Sequence, residues 1–288
     1  MIFHRNLRRR LSGNDIRFKR FLILSGVEVL NNIDRSVAVL VNSCDKYSDI
    51  WPVFFQLFFK YWPDCPYPVF LGSNEKTYND PRVTTLCVGP DKSWADSTQA
   101  MVALLPATNI LWFLDDYLLW ETVSTSKVTD LYERFLKLQA NYLRMSPDGG
   151  SDQLKRIIDD TLLELLPGVE YRSSLDNAFW NREMFLNLLK TGESPWDMES
   201  AGSRRSDQFN GFYATRSNIF QRTNGLERGK WLRYNLPLLA HEGIAIPLGH
   251  PVMSRTKEVT KTMKRYIKLS LSPLRPVYRV LKGKSAHE

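Results

Sequence analysis

Short apolar runs alternate with amphipathic stretches along the first half of the chain. The apolar runs are rich in Val, Leu, Ile and Phe and predict strands at residues 36–44, 67–73, 83–89, 109–120 and 141–147. Between them, apolar residues at helical spacing predict helices from about residue 49 to 61, at 91–105 and at 126–140. Such an alternation favours an α/β layered fold with a mostly parallel sheet.

The second half of the chain is less regular. It predicts a strand near residues 171–174, a helix near 181–190, and further strands near 211–216 and 243–248. Ser48 or Asp49 is positioned to cap the first helix, and Ser93 to cap the second. We predict that residues 33–253 form one domain, preceded by a basic segment at 1–32 and followed by a basic tail at 254–288.

Composition and missing motifs exclude several classes of protein. With 43% apolar and 24% charged residues, the chain is typical of a folded protein, and no apolar run is long enough to cross a membrane. It has no Gly-x-Gly-x-x-Gly after the first strand, no phosphate-binding Gly-x-x-x-x-Gly-Lys-Ser/Thr loop and no Gly-x-Ser-x-Gly elbow. Dinucleotide dehydrogenases, P-loop NTPases and common serine hydrolases are therefore disfavoured. An odd, sparse set of three cysteines favours a reducing compartment.

Charge is concentrated at the two ends. Residues 1–20 hold seven basic residues and one acid, and residues 254–288 hold ten basic residues and two acids. Because the whole chain carries +8, the body between these ends is acidic. Basic segments interleaved with Leu, Ile, Val and Tyr suit an anionic membrane surface. Solvated tails are the alternative. Nucleic acid is not an expected partner, because the chain has no nucleic-acid-binding module.

The strongest chemical signal is the pair Asp115-Asp116, which interrupts the most apolar run of the chain. Ligands of open α/β sheets bind beyond the carboxyl ends of strands, and carboxylates there can hold a divalent cation and, through it, a diphosphate. The alternative is a strand that runs into an exposed acidic turn.

Two further segments carry candidate binding residues. Trp196 lies between Pro195 and the acids Asp197 and Glu199, in a predicted loop where the indole would pack on a sugar and a carboxylate would take a hydroxyl proton. The alternative is a Trp that anchors a surface loop. The exit loop of the first strand, residues 42–47, occupies the place that contacts base and ribose in nucleotide-binding α/β folds.

Taken together, the segments SCDKYSDIW, SWADSTQAMVALLP, ILWFLDDYLLW and SPWDMES resemble the bacterial GT-A-fold glycosyltransferases of surface-polysaccharide biosynthesis. The resemblance covers about residues 36–250. It implies a GT-A-like, Rossmann-like single α/β domain with a mixed, mostly parallel central sheet flanked by helices. It also implies transfer of a sugar from a nucleotide-sugar donor to a hydroxyl of a lipid-linked surface glycan. The basic ends lie outside the resemblance, and together with such an acceptor they predict a location at the cytoplasmic face of the bacterial inner membrane.

The resemblance also implies roles for individual residues. Asp115 and Asp116 would bind the donor diphosphate through Mg²⁺ or Mn²⁺, with His241 as a further metal ligand, although a structural histidine is the alternative there. Glu199 would be the base of an inverting displacement, with Asp197 as its competitor. Contacts to the nucleotide sugar are expected from the loop and aromatic residues Ser43, Asp45, Trp94 and Trp196.

Two other functions remain open at the level of sequence. A sugar nucleotidyltransferase also uses a nucleotide-binding α/β domain, but it usually carries a Gly-rich basic loop after the first strand, which NSCDKYSD lacks. The other is a module that binds a glycan or nucleic acid without turnover.

The charged ends generate the first testable prediction. We expect the protein to co-sediment with anionic vesicles at low salt, because each cation near such a surface contributes about 1 kcal/mol. High salt should release it, since screening shortens the reach of the charges. Deletion of residues 254–288 should weaken sedimentation more than it harms transfer to a short soluble acceptor. A full-length protein that ignores anionic vesicles at low salt would show that the ends are not membrane anchors.

Overall fold

In the computed structural model, which describes residues 36–147 and 154–258, nine strands form the central sheet. Numbered in chain order, they are β1 (Val37–Asn42), β2 (Val69–Ser73), β3 (Val83–Cys87), β4 (Asn109–Leu114), β6 (Tyr142–Arg144), β7 (Lys155–Ile157), β8 (Leu162–Leu165), β9 (Ala178–Asn181) and β10 (Phe212–Thr215). Their order across the sheet is β3-β2-β1-β4-β9-β6-β10-β8-β7. β8 and β9 run against the other strands, so the sheet is mixed and mostly parallel.

Two small ribbons lie outside this sheet. One pairs β5 (Tyr117–Leu119) with β11 (Arg222–Asn224), and the other pairs β12 (Leu226–Glu227) with β13 (Lys230–Trp231). β5 follows β4 after a two-residue turn, so the chain leaves the central sheet at Asp115 and Asp116. This departure brings β11, from much later in the chain, beside the acidic pair.

Helices cover both faces of the central sheet. They are α1 (Trp51–Tyr61), α2 (Trp94–Leu104), α3 (Thr125–Lys137), α4 (Arg182–Leu188), α5 (Pro195–Asp197), α6 (Ser203–Ser206) and α7 (Leu236–His241). β1 is buried on both sides: its alternate residues face one apolar cluster that includes α1 and α3, and a second that includes α2 and α4. A strand buried on both faces gives the continuous apolar run seen in the sequence.

The fold class is confirmed. The described residues form an α/β, Rossmann-like single domain with a mixed, mostly parallel sheet flanked by helices. Four neighbouring parallel strands, in the order β3-β2-β1-β4, make up one side of that sheet. The predicted cap Ser93 is present and accepts a hydrogen bond from the backbone N–H of Asp96 at 3.1 Å. At α1, by contrast, the predicted capping by Ser48 or Asp49 is wrong, because Ile50 is the capping residue and makes no side-chain bond.

Three predicted strands differ from the structure. Residues 109–120 form β4 and β5 rather than one strand, because the acidic pair makes a turn. Residues 171–174 form no strand: the buried Arg172 guanidinium binds the carbonyl oxygens of Leu165, Ser206 and Phe209 instead. Residues 243–248 follow α7 without regular structure. The pattern also missed β7, β8 and β9, which are only three or four residues long.

None of the helices in the described part of the chain is both long enough and apolar enough to span a bilayer. Residues 1–32 and 259–288, which contain most of the basic end segments, lie outside the described residues. Their predicted contact with membranes stays a prediction.

Candidate active site

The carboxyl ends of β1 and β4 meet at one edge of the sheet. These strands are neighbours, and Asn42 at the end of β1 is in register with Leu114 at the end of β4. The next residues, Ser43 and Asp115, are therefore adjacent. This is the edge at which open α/β sheets bind their ligands.

Asp115 is buried and hydrogen-bonded. Its carboxylate accepts a hydrogen bond from the Ser43 hydroxyl, and the indole Nε1 of Trp51 donates to the same hydroxyl oxygen at 2.7 Å. Trp51 is the first residue of α1, so the start of that helix fixes the hydroxyl that faces the carboxylate. Ser43 therefore lies against the acidic pair, and its predicted contact with a nucleotide sugar stays a prediction.

Both acids of the pair have raised proton affinity. Burial, and then the charge of Asp116, raise the pKa of Asp115 to about 8, against the hydrogen bond from Ser43. Burial also raises the pKa of the half-buried Asp116 to about 6, and the charge of Arg222 opposes that shift. Two carboxylates in such a place favour either a proton or a cation beside them.

Glu199 lies on an unusual helical segment. Residues Met198–Gly202 form a π-helical turn between α5 and α6, and the Ser203 hydroxyl donates to the Glu199 carbonyl oxygen at 2.6 Å. The half-buried Glu199 carboxylate accepts the backbone N–H of Leu175 at 2.9 Å. Burial raises the pKa of Glu199, and the hydrogen bond from Leu175 opposes the rise. Single π turns are frequent at functional sites.

Leu175 connects Glu199 to the acidic pair. Its N–H is held by Glu199, while its carbonyl oxygen lies 3.4 Å from the hydroxyl of Tyr117, which donates to it. Tyr117 directly follows Asp116 in the chain. The three predicted acids Asp115, Asp116 and Glu199 are therefore joined through one tyrosine and one backbone segment.

Two residues predicted to bind the nucleotide sugar already have protein partners. The Asp45 carboxylate accepts backbone N–H groups of residues 74–76, at 3.1–3.2 Å, and so fixes the loop after β2. Trp94 donates from Nε1 to the Asn42 side chain at 3.0 Å and packs edge-on against Trp112. Both lie beside the carboxyl end of β1, and their polar groups hold the protein itself.

Trp196 and Asp197 form part of α5 rather than the predicted loop. Asp197 closes a capping box with Ser194: its carboxylate accepts from the Ser194 N–H at 3.0 Å, and the Asp197 N–H donates to the Ser194 hydroxyl. This exposed carboxylate starts a helix. The Trp196 side chain is 70% exposed, so its ring is available to a ligand.

The structure does not bring His241 to the acidic pair. His241 contacts Glu242, which also binds Lys60 and the hydroxyl of Tyr61 at the last turn of α1. Ser43 is held at the opposite end of that 11-residue helix, a helix length of roughly 16 Å away. The expectation of His241 as a metal ligand is therefore corrected by the geometry.

A different late histidine lies on the side of the acidic pair. His250, only 6% exposed, stacks on Tyr47 with ring centroids 4.9 Å apart, and its Nδ1 lies 3.1 Å from an Asp49 carboxylate oxygen. Burial, and then the charge of Asp115, raise the pKa of Tyr47, which places this stack within electrostatic reach of the pair. Sequence reasoning missed His250, since spacing does not reveal which histidine returns to the first strand's exit loop.

The donor set fits a hard divalent cation held together with a ligand. Asp115 and Asp116 supply carboxylate oxygens, and their raised proton affinity is the kind that a cation relieves. In residues 36–147 and 154–258 no cluster of three or more His, Cys, Asp or Glu side chains could by itself hold a metal. Mg²⁺ commonly binds through one or two carboxylates, water and substrate phosphates, so two acids suffice for that mode.

Comparison with known proteins finds solved structures that align with this chain, but it does not find a family. No protein-family model and no curated protein matches the chain. S. aureus TarS, residues 1–349, aligns with a TM-score of 0.42 at 9% identity, over 64% of this chain and 60% of TarS. A UDP-glucose pyrophosphorylase complexed with UDP-glucose aligns at 0.44 and 9%, over 65% of this chain and 91% of that one. The galactosyltransferase LgtC, in complex with donor and acceptor sugar analogues, aligns at 0.35 and 11%, over 74% and 86%. These values assign neither a family nor an activity.

The raised pKa of Asp115 generates a prediction about stability. The pKa of about 8 in the folded protein lies above that of an unfolded Asp, near 3.9, so the wild type loses stability as pH rises between the two values. Asp115→Asn cannot ionise and keeps an acceptor for Ser43. We expect the variant to gain stability relative to the wild type between about pH 5 and 8, on the order of a few kcal/mol.

Urea unfolding with a chelator present measures this difference. Asp130→Asn is the matched control, because Asp130 is an exposed carboxyl on α3, and its difference from the wild type should stay flat. A pH-independent difference for Asp115→Asn would show that the buried carboxyl does not carry the effect.

Proposed function

We propose that this protein is a nucleotide-sugar-dependent glycosyltransferase. The observation that carries the proposal is the joining of Asp115 and Asp116, at the carboxyl edge of the sheet, to Glu199 through Tyr117 and Leu175. The acidic pair suits the diphosphate of a donor, and Glu199 suits the hydroxyl of an acceptor. The proposed acceptor is a lipid-linked surface glycan, reached at the cytoplasmic face of a bacterial inner membrane through the basic ends.

On the donor side, Asp115 and Asp116 would hold Mg²⁺ or Mn²⁺. When bound, such a cation neutralises the charge that develops on a leaving nucleoside diphosphate. Ser43 keeps the Asp115 carboxylate oriented, and Trp51 keeps the Ser43 hydroxyl in place. The stack of His250 on Tyr47 borders the same edge and is a better candidate than His241 for contact with the diphosphate.

On the acceptor side, Glu199 would take the proton of the attacking hydroxyl, and the anomeric centre would invert. Its raised pKa supports this role, because a base works best when its pKa approaches the operating pH. The bond from the Leu175 N–H fixes one carboxylate oxygen, Oε1, and within the described residues the second oxygen accepts no hydrogen bond. Trp196, three residues earlier and largely exposed, would pack its ring on the acceptor sugar.

A panel of nucleotide sugars tests the function. We expect release of the free nucleoside diphosphate with at least one donor, and faster release when a glycan acceptor is added. If nucleoside triphosphate forms instead, and only when pyrophosphate is added, the protein is a sugar nucleotidyltransferase. Binding without any product would identify a module that recognises a nucleotide or glycan without turnover.

Substitution of Asp116 tests the donor side. Asp116→Ala should lower transfer by about 100-fold or more, since a charge partner of the leaving group is removed. Asp130→Ala, an exposed acid on α3, should retain the wild-type rate, and circular dichroism should show both variants folded. Unchanged transfer by a folded Asp116→Ala protein would exclude a role for this carboxylate in donor binding.

Substitution of Glu199 tests the base. The amide of Glu199→Gln can still accept the Leu175 N–H but cannot take a proton, so we expect donor affinity to be retained and turnover to fall by about 10²- to 10⁴-fold. Donor titration and initial rates separate the two effects. Glu183→Gln, at an exposed position of α4, is the control. Near-normal turnover by Glu199→Gln would transfer the base role to Asp197.

A further inference from the structure

Arg222 lies between the acidic pair, Asp115 and Asp116, and the segment that holds Glu199. It begins β11, which pairs with β5, and there it lies opposite Leu119. Tyr117 is two residues away on the same face of that ribbon, so the long Arg222 side chain meets it as a diagonal neighbour. The Arg222 guanidinium carbon lies 3.5 Å from the centroid of the Tyr117 ring.

The same guanidinium also binds the segment that holds Glu199. It forms an ion pair with Asp176, and its Nε donates to the Asn177 side chain at 3.0 Å. These residues directly follow Leu175, whose N–H binds Glu199 and whose carbonyl oxygen accepts from Tyr117. One side chain thus contacts both the residue after the acidic pair and the segment next to the base.

The chemistry of this contact requires an arginine. A planar guanidinium can stack on an aromatic ring and at the same time direct several N–H groups to acceptors in its own plane. A lysine ammonium supplies the charge, but it has neither a flat face to stack on a ring nor several N–H donors fixed in one plane. The side chains of Arg222 and Asp176 are only 17% and 23% exposed, so water does not replace these contacts freely.

The segment next to the base has independent anchors that limit how it can adjust. Asp176 accepts from the Ser146 hydroxyl at 2.7 Å, and the Asn177 amide donates to the Trp112 carbonyl oxygen at 3.1 Å. Trp112 belongs to β4, the strand that leads to Asp115. Arg222 therefore joins two elements that are each fixed to the sheet, and its loss leaves the weak 3.4 Å hydrogen bond from Tyr117 to the Leu175 carbonyl oxygen to hold them together.

We infer that Arg222 is a positioning residue that keeps the acidic pair and Glu199 in one working arrangement. The inference rests on the proposed function for its kinetic readout. Arg222 acts through Tyr117 and through the 175–177 segment, and the acidic pair and Glu199 themselves touch the substrates. A misplacement of reacting groups by about 1 Å costs roughly 100-fold in rate.

Three variants test the inference. Arg222→Ala should lower kcat by about 100-fold while the donor KM changes by less than about threefold, because binding groups remain and their alignment is lost. Arg222→Lys should show a similar loss, because lysine lacks the planar set of N–H donors that binds Asp176 and Asn177. Arg134→Ala, which breaks a remote Arg–Asp ion pair with Asp159, should keep kcat within about twofold.

Chemical rescue separates positioning from a general loss of structure. Added guanidinium, at concentrations far below denaturing ones, should restore turnover of Arg222→Ala by roughly tenfold, and methylammonium should not. An unchanged kcat, a change confined to KM, an equal loss in Arg134→Ala, or failure of guanidinium to restore the folded Arg222→Ala protein would each overturn the inference.

Hydrogen exchange provides a readout that does not depend on the reaction. In Arg222→Ala, the amide exchange rates of residues 117–119 and of residues 175–178 should both be higher than in the wild type. In Arg134→Ala, the rates of both segments should equal those of the wild type. If the wild type turns over no nucleotide sugar, the proposed function fails, and paired quickening of the two segments still supports the coupling. Quickening in neither segment, or in only one, overturns the coupling itself.

Discussion

The burial of the Asp115 carboxyl group at the end of β4 is the constraint on which the surrounding structure depends. A carboxylate withdrawn from water without partners costs several kcal/mol, so the fold must supply a hydrogen bond, a proton or a cation. The Ser43 hydroxyl supplies the hydrogen bond, and the Trp51 indole holds that hydroxyl. The end of β1, the start of α1 and the end of β4 are therefore fixed relative to one another by a single buried group.

The second half of the site follows from the turn that the two acids make. Because the chain leaves the central sheet there, β5 is free to pair with β11, and this pairing delivers Arg222 to Tyr117. Arg222 then reaches Asp176, beside the Leu175 N–H that holds Glu199. Residues far apart in the chain thus form one connected arrangement of charges, with the Arg222 guanidinium between Asp116 and the segment that holds Glu199.

Much of the central sheet could be predicted because its strands are buried on both faces. β1, β2 and β4 stand out as apolar runs, and Ser93 marks the start of α2 as a residue whose hydroxyl accepts a backbone N–H. Short strands could not be predicted in this way. β9 has only four residues, and its place between β4 and β6 depends on pairing with strands distant in sequence.

For the candidate site, the sequence by itself determined the chemical groups: an acidic pair in the most apolar run, and a Trp beside two acids. Only the tertiary structure decided which groups meet. Asp197 forms a capping box with Ser194, and His241 lies near the C-terminal end of α1, away from Asp115. His250 is the histidine that stacks on Tyr47. Local patterns report burial and helix starts, since these depend on neighbours along the chain. Contacts such as that of Arg222 with Asp176 depend on strand pairing across long loops, which no local pattern encodes.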